Sequence, residues 1–186
     1  MRRALGIIGA VMMLAAGVNS AFASLTQRSA QYGFEISFPE GWTTVPGATP
    51  RIVFAARSGI APDSATCAVS AEDKPLTARA TQAELNTLLQ RPFGQAFWRE
   101  VHRASGNLAF ESDSVKTHPS GIVTQEAVVT FMAANETGSV RVKLLSTILI
   151  VPGVQYQITC GAREGTFETY RPAILATIDS FRRTLP

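Results

Sequence analysis

Three short stretches between residues 32 and 70 have the alternating pattern of half-buried strands. From residue 32 to 38, apolar side chains alternate with small or polar ones, and a Pro-Glu-Gly turn follows at 39–41. This period of two predicts a strand with one buried face. Residues 51–56 and 66–70 predict two further strands, because loops rich in Gly, Pro and Asp separate them.

A different periodicity predicts three helical segments. Thr81 and Glu84 have the spacing of a capping box and open a helix whose leucines recur three and four residues apart. Residues 93–101 form a second helical stretch with an apolar face. A third helix is predicted over 167–184, and because Pro172 lies inside that span, we expect its regular part to begin near Arg171.

Between the second and third helices the pattern predicts four long strands. They cover residues 107–116, 122–133, 139–151 and 154–161, with short turns between them. Short turns allow only antiparallel neighbours. The dense apolar run 144–151 predicts a central strand that is covered on both faces. The expected fold is therefore an α/β (α+β) sandwich, in which helices flank a mostly antiparallel sheet of six to seven strands.

The N-terminus has the three zones of a signal peptide. Arg2 and Arg3 precede an apolar run over 4–18, and Ala-Phe-Ala follows at 21–23. The run has about 15 residues, whereas a membrane-spanning helix needs about 20. We expect cleavage near Ala23, a periplasmic or secreted product and no integral membrane segment afterwards; an uncleaved anchor is the alternative. Residues 24–186 then form a single domain.

Charge gives no support for a nucleic-acid partner. The full chain has 17 basic and 14 acidic residues, a formal charge of +3. Two of the basic residues and none of the acidic ones lie in the predicted signal peptide, so the charge of the mature chain falls to +1. The remaining basic residues are scattered, as on an ordinary solvated surface.

The chain has two cysteines, Cys67 and Cys160, both in predicted strands. In an exported protein a disulfide between them is the economical interpretation. Two buried free thiols or a redox pair are the alternatives, and the second lacks a Cys-x-x-Cys motif.

Two ends of the mature chain resemble a known group of proteins. Residues 32–42, Tyr-x-Phe-x-Ile-x-Phe-Pro-x-Gly-Trp, resemble the opening strand and turn of the PsbP/Mog1 superfamily, which includes DcrB-like exported bacterial proteins. Residues 178–181, Ile-Asp-Ser-Phe, are similar to the motif that ends the family's last helix. The resemblance implies an antiparallel sheet with flanking helices, and proteins that mostly act by binding a partner. It supplies no shared active site.

Candidate chemistry in the sequence is sparse. The two histidines are His102, expected to be a solvated helix residue, and His118, which lies in a turn. A weak metal site of His118 with Glu111 and Asp113 is an alternative to ordinary exposed polar residues. No serine lies in a Gly-x-Ser-x-Gly elbow. We therefore predict no catalytic residue, no metal and no cofactor.

Aromatic residues near predicted loops are the candidate binding residues. Trp42, Phe93, Phe97 and Trp98 could line a groove for a peptide or lipid, which would require both indoles to be exposed in one pocket. The alternative is that both tryptophans are core residues.

The sequence favours an exported, noncatalytic accessory protein of the bacterial envelope, which binds an unidentified envelope protein and assists its assembly or stability. One alternative is a periplasmic carrier or sensor of a small apolar ligand. Another is a hydrolase, which would need His102 or His118 beside a Ser or Asp in a cleft.

Overall fold

A computed structural model describes residues 24–47, 49–59, 63–135 and 138–184 of the chain. The predicted signal peptide lies outside these residues. Within the described ranges, no helix combines the length and apolar character needed to cross a membrane.

Ten strands, three α-helices and two short 3-10 helices, Pro75–Thr77 and Arg103–Ser105, make up the described structure. The strands are β1 Leu25–Ser29, β2 Phe34–Phe38, β3 Trp42–Thr44, β4 Ile52–Ser58, β5 Thr66–Lys74, β6 Ala109–Thr117, β7 Val123–Asn135, β8 Gly138–Val151, β9 Gly153–Arg163 and β10 Arg182–Arg183. The helices are α1 Gln82–Leu88, α2 Gln95–Val101 and α3 Glu164–Asp179.

The strands form two sheets, and every pairing is antiparallel. The large sheet has seven strands in the order β3-β4-β5-β9-β8-β7-β6. A small sheet has the order β1-β2-β10. The predicted antiparallel α+β architecture is confirmed, and the small sheet is an addition to it.

Two apolar clusters cover the two faces of the large sheet. On the first face, α3 and strand β2 pack over the sheet in the larger cluster. On the second face, Trp98 of α2 lies in the smaller one. Strand β8 contributes to both, because Leu145 and Leu149 point into the first cluster and Ile148 into the second. The prediction that residues 144–151 form an interior strand covered on both faces is confirmed, although β9 is the middle strand of the seven.

Helix α3 differs from its predicted bounds. It begins at Glu164, seven residues before Arg171, and continues through Pro172. A proline inside a helix removes one backbone hydrogen bond. Buried side chains anchor the helix on both sides of that point, with Phe167 in the preceding turn and Ile174 after it. Packing against the sheet therefore stabilises the helical turns before Pro172, an effect that the local preference of proline does not include.

The C-terminal end of α3 is tied to the small sheet. The Ser180 hydroxyl accepts a hydrogen bond from the Ser37 N–H at 2.9 Å and lies 3.1 Å from the Ser37 carbonyl oxygen. Phe181 stacks on Phe34 with ring centroids 5.5 Å apart. These contacts end the helix at Asp179, before the predicted residue 184, and place β10 beside β2.

The predicted disulfide is confirmed. Cys67 of β5 and Cys160 of β9 are directly opposite each other in the sheet and are bonded. Both are fully buried in the first cluster. At the neighbouring Gly161 a Cβ would overlap the end of the Leu144 side chain and lie 3.0 Å from the Lys143 carbonyl oxygen, so a larger residue there would require Leu144 to move.

Candidate binding site

Trp42 lies in the first core cluster. It follows the turn after β2 and is 7% exposed. Its ring is stacked on Phe38, with centroids 6.2 Å apart. The indole therefore closes one part of the core, as expected for a tryptophan just after a strand turn.

The other three predicted binding residues lie together on the second face. Trp98 is fully buried and its Nε1–H donates to an Asp113 carboxylate oxygen at 3.0 Å. Phe97 packs edge-on against Trp98, and Phe93 lies 4.4 Å from Phe97, centroid to centroid. Phe93 and Phe97 are half-buried.

The structure thus brings three of the four aromatics together and places Trp42 on the opposite face of the sheet. It does not have the single pocket with two exposed indoles that the groove hypothesis required. The burial of both tryptophans agrees with the alternative that they are core residues. A direct role for these aromatics in binding stays a prediction, and Phe93 and Phe97 are its more accessible members.

His102 is buried, so the expectation of a solvated helix residue is wrong. Its Nε2 lies 2.9 Å from the Ser146 hydroxyl, which in turn lies 3.2 Å from the Thr159 hydroxyl. Burial lowers the pKa of His102 from its ordinary value, because the charged imidazolium loses its hydration. Ser146 is 0% exposed, so no substrate reaches its hydroxyl in this arrangement.

His118 is also a structural residue. Its Nε2 donates to the Ile178 carbonyl at 3.0 Å, and its Nδ1 accepts from the Ser120 N–H at 3.1 Å. These bonds attach the turn between β6 and β7 to the end of α3. The alternative metal site is not assembled, since Asp113 faces Trp98 while Glu111 bonds a lysine on the other face.

A cleft at the open edge of the sheet was not found from the sequence. It has a volume of about 260 Å³ and lies on the first face, between α3 and strands β6 to β8. We call it the edge cleft. Its lining residues are Ser112, Ser114, Lys116, Glu126, Val128, Leu145, Phe167, Arg171 and Leu175. A smaller recess of about 200 Å³ adjoins it, adding Glu111 and Lys143.

Ion pairs line this cleft and its recess. Lys116 Nζ lies 2.5 Å from Glu126, whose side chain is only 9% exposed. Lys143 contacts Glu111 at 2.7 Å and Glu168 at 3.2 Å. These carboxylates, with the Glu111 hydrogen bond contributing most, raise the pKa of Lys143 above its ordinary value. The cleft can therefore present fixed charges beside an apolar floor.

The sequence signal for the edge cleft was weak. Ser112 and Ser114 alternate with Asp113 and Val115, which is the pattern of any strand with a polar face. Only the tertiary structure shows that a space remains between these serines and helix α3.

Solved structures with the same architecture identify the fold. The solution structure of cyanobacterial PsbP (CyanoP) from Synechocystis sp. PCC 6803 covers 96% of this chain and 98% of its own, at 16% identity and a TM-score of 0.57. The chain has a PsbP/Mog1-like fold. LpqN from Mycobacterium tuberculosis, described as involved in cell envelope biogenesis, covers 88% of this chain and 91% of its own, at 10% identity and a TM-score of 0.59.

The PsbP/Mog1-like fold is supported by structural similarity alone. No protein-family model matches the sequence, and no curated protein matches it significantly. The narrower likeness to DcrB-like exported proteins stays a prediction.

Proposed function

We propose that this protein is an exported, noncatalytic accessory protein of the bacterial envelope that binds a protein partner and assists its assembly or stability. In this proposal the signal peptide is cleaved near Ala23 and the mature domain, residues 24–186, works in the periplasm. The Cys67–Cys160 disulfide supports an oxidising compartment.

The observation that carries the noncatalytic proposal is where the reactive side chains lie. His102 and His118 are buried and hold other parts of the fold through hydrogen bonds. The two cysteines are bonded to each other inside the core. The edge cleft is lined by ion-paired and apolar groups together with Ser112 and Ser114, and its lining residues include neither histidine. Such a surface suits recognition, because contact area and charge placement determine binding.

The similarity to LpqN supports the envelope part of the proposal. LpqN is involved in cell envelope biogenesis. Because the two chains are 10% identical, the likeness carries the fold, and the envelope role of this chain rests on the predicted signal peptide and the disulfide as well.

A carrier of a small apolar ligand is the second candidate. An open recess of about 450 Å³ on the second face favours it, because Val140, Val142 and Leu144 give this recess a mainly apolar lining. Among the described residues, those that line this recess lie outside the helices.

Crosslinking in living cells tests the two candidates against each other. A C-terminally tagged full-length protein is expressed at its natural level, crosslinked, purified and analysed by mass spectrometry. The proposal predicts one specific envelope protein whose abundance also falls in cells that lack this chain and returns on complementation. A purified protein that carries a small molecule, with no envelope protein changed in abundance, would instead establish the carrier.

N-terminal sequencing of the purified mature protein tests the export step separately. A new N-terminus at Ser24 in the periplasmic fraction is the expected result. Intact Met1 in the membrane fraction would show that the N-terminal segment is an anchor.

A further inference from the structure

We propose that the partner supplies an extended segment that pairs with the outer edge of β6 as an eighth strand and places an apolar side chain and a carboxylate toward the edge cleft. This inference rests on the proposed function and names the surface and the chemistry of the partner. Four features of the described residues lead to it.

The first feature is the position of β6. It is the outermost strand at one end of the large sheet, and the opposite end is the three-residue strand β3. A bulge at Glu111 interrupts the pairing with β7. From Ser112 to Thr117 the pairing is continuous, so this part of β6 is a regular edge of six residues, about 20 Å long at 3.3 Å per residue.

The second feature is the direction of the backbone groups. The His118 N–H donates to the Ile122 carbonyl at 2.8 Å, so His118 bonds toward β7. In an antiparallel pair, hydrogen-bonded residues alternate along each strand. The N–H and C=O groups of Asp113, Val115 and Thr117 therefore point away from β7, toward the open edge. Among the described residues, no backbone hydrogen bond from another element reaches these three.

The third feature is the space beside this edge. Partner side chains directly opposite Ser112 and Ser114 would lie on the same face of the sheet as these serines, the face that carries the edge cleft. The two serines are small and leave the cleft open toward the edge. Its floor is apolar, with Leu145 and Phe167 among the lining residues, so it suits an apolar side chain.

The fourth feature is the set of charged side chains. The cleft and its recess contain three cations, Lys116, Lys143 and Arg171, which are matched by three carboxylates, Glu111, Glu126 and the adjoining Glu168, so the free hydrogen-bonding capacity matters more than net charge. The Arg171 side chain is 53% exposed, and its Nη1 donates to Glu168 while its other nitrogens have no hydrogen-bond partner among the described residues. A partner carboxylate on the same face as the apolar side chain would accept hydrogen bonds from these Arg171 nitrogens.

An exposed strand edge is an aggregation hazard that proteins normally block. Here the bulge protects one end and Lys116 supplies an edge charge. The remaining outward groups at Asp113, Val115 and Thr117 are the part that a partner strand can use. Addition of a strand satisfies these groups through main-chain bonds, and the cleft selects the side chains.

Site-specific photocrosslinking in cells tests the location. A photoreactive amino acid replaces Ser112, which is exposed at the rim of the edge cleft, or Leu88, which is 76% exposed on α1 and serves as the control. We expect an adduct with one envelope protein at position 112 and at least fivefold less at position 88. An adduct at position 88 alone would keep the proposed function and overturn this inference. Adducts at neither position would contradict both.

A proline substitution tests the strand pairing. Val115→Pro removes an outward N–H without removing a bond to β7, whereas Val115→Thr keeps the N–H and serves as the matched control. We expect the adduct at position 112 to fall at least fivefold in the proline variant and to persist in the threonine variant. An undiminished adduct in a folded proline variant would overturn the inference.

A charge reversal gives a test that does not depend on the backbone. Arg171→Glu changes an exposed helix residue and should lower the adduct yield at position 112 severalfold, whereas Arg171→Lys should keep most of it. Equal yields in both variants would contradict the predicted carboxylate.

An adduct with the mass of two copies of this chain would assign the edge to self-association and overturn the inference as well.

Discussion

Reduction of the Cys67–Cys160 disulfide should greatly weaken the folded state. The bond closes a loop across a sequence separation of 93 residues. Loop closure of this length reduces the entropy of the unfolded chain by an amount equivalent to about 4 to 5 kcal/mol. With a urea dependence of about 2 kcal/mol per molar, the unfolding midpoint should fall by about 2 M.

Urea unfolding followed by tryptophan fluorescence measures this shift. Trp42 and Trp98 report on the two separate core clusters, so both should unfold in one transition if the domain is cooperative. Because both cysteines are fully buried, we expect reductant to act only after the protein opens. The reduced protein is therefore prepared by unfolding in reductant and refolding with reductant present.

The double variant Cys67→Ala/Cys160→Ala is the control. Its midpoint should be unaffected by reductant and should lie at or below that of the reduced protein, because two buried sulfur atoms are lost. If oxidised and reduced wild-type proteins unfold within 0.5 M urea of each other (a limit of about 1 kcal/mol), the loop-closure argument is refuted.

Three further predictions concern buried groups. The folded-state pKa of His102 lies below its ordinary value of 6.5, so the unfolded chain takes up the proton first as the pH falls. The contribution of His102 to the free energy of unfolding should therefore be fully present above about pH 6.5 and decrease below it. Urea titrations at several pH values should show a shallower decrease for His102→Gln. Gly161→Ala should cost about 1 to 3 kcal/mol, because the new methyl overlaps the Leu144 side chain and lies only 3.0 Å from the Lys143 carbonyl oxygen. Gly165→Ala, with open space around it, should change the melting temperature little. Lys116→Met should destabilise the protein by about 1 to 3 kcal/mol, because it leaves the buried Glu126 carboxylate without its lysine. Glu126→Gln should cost less, since it removes the buried charge itself. Equal losses of the two variants in thermal unfolding would contradict this reasoning.

The long strands and the disulfide were predictable because each follows from local pattern. Apolar alternation and turn residues defined β7, β8 and β9, and two cysteines in strands of a chain predicted to be exported favoured a disulfide over free thiols. Strands β1 and β10 have no comparable pattern. They exist because their backbones pair with β2, whose position is set by the first cluster.

The candidate binding site was less predictable because a sequence does not show which side of a sheet remains uncovered. Trp42 and Trp98 look alike as aromatics near turns, yet they belong to clusters on opposite faces. His102 looked solvated because charged residues surround it in the chain, whereas α2 turns its ring toward Ser146. The edge cleft depends on how α3 packs over strands β6 to β8, which is a tertiary property.

Native mass spectrometry of the tagged protein, released gently from the envelope of the cells that produce it, directly tests whether the protein binds a polypeptide partner. We expect a species whose mass equals the mature chain plus one other polypeptide, which dissociates on activation into these two components. A spectrum that contains only the mature chain, or the chain with a small molecule, would contradict a role in binding a protein partner.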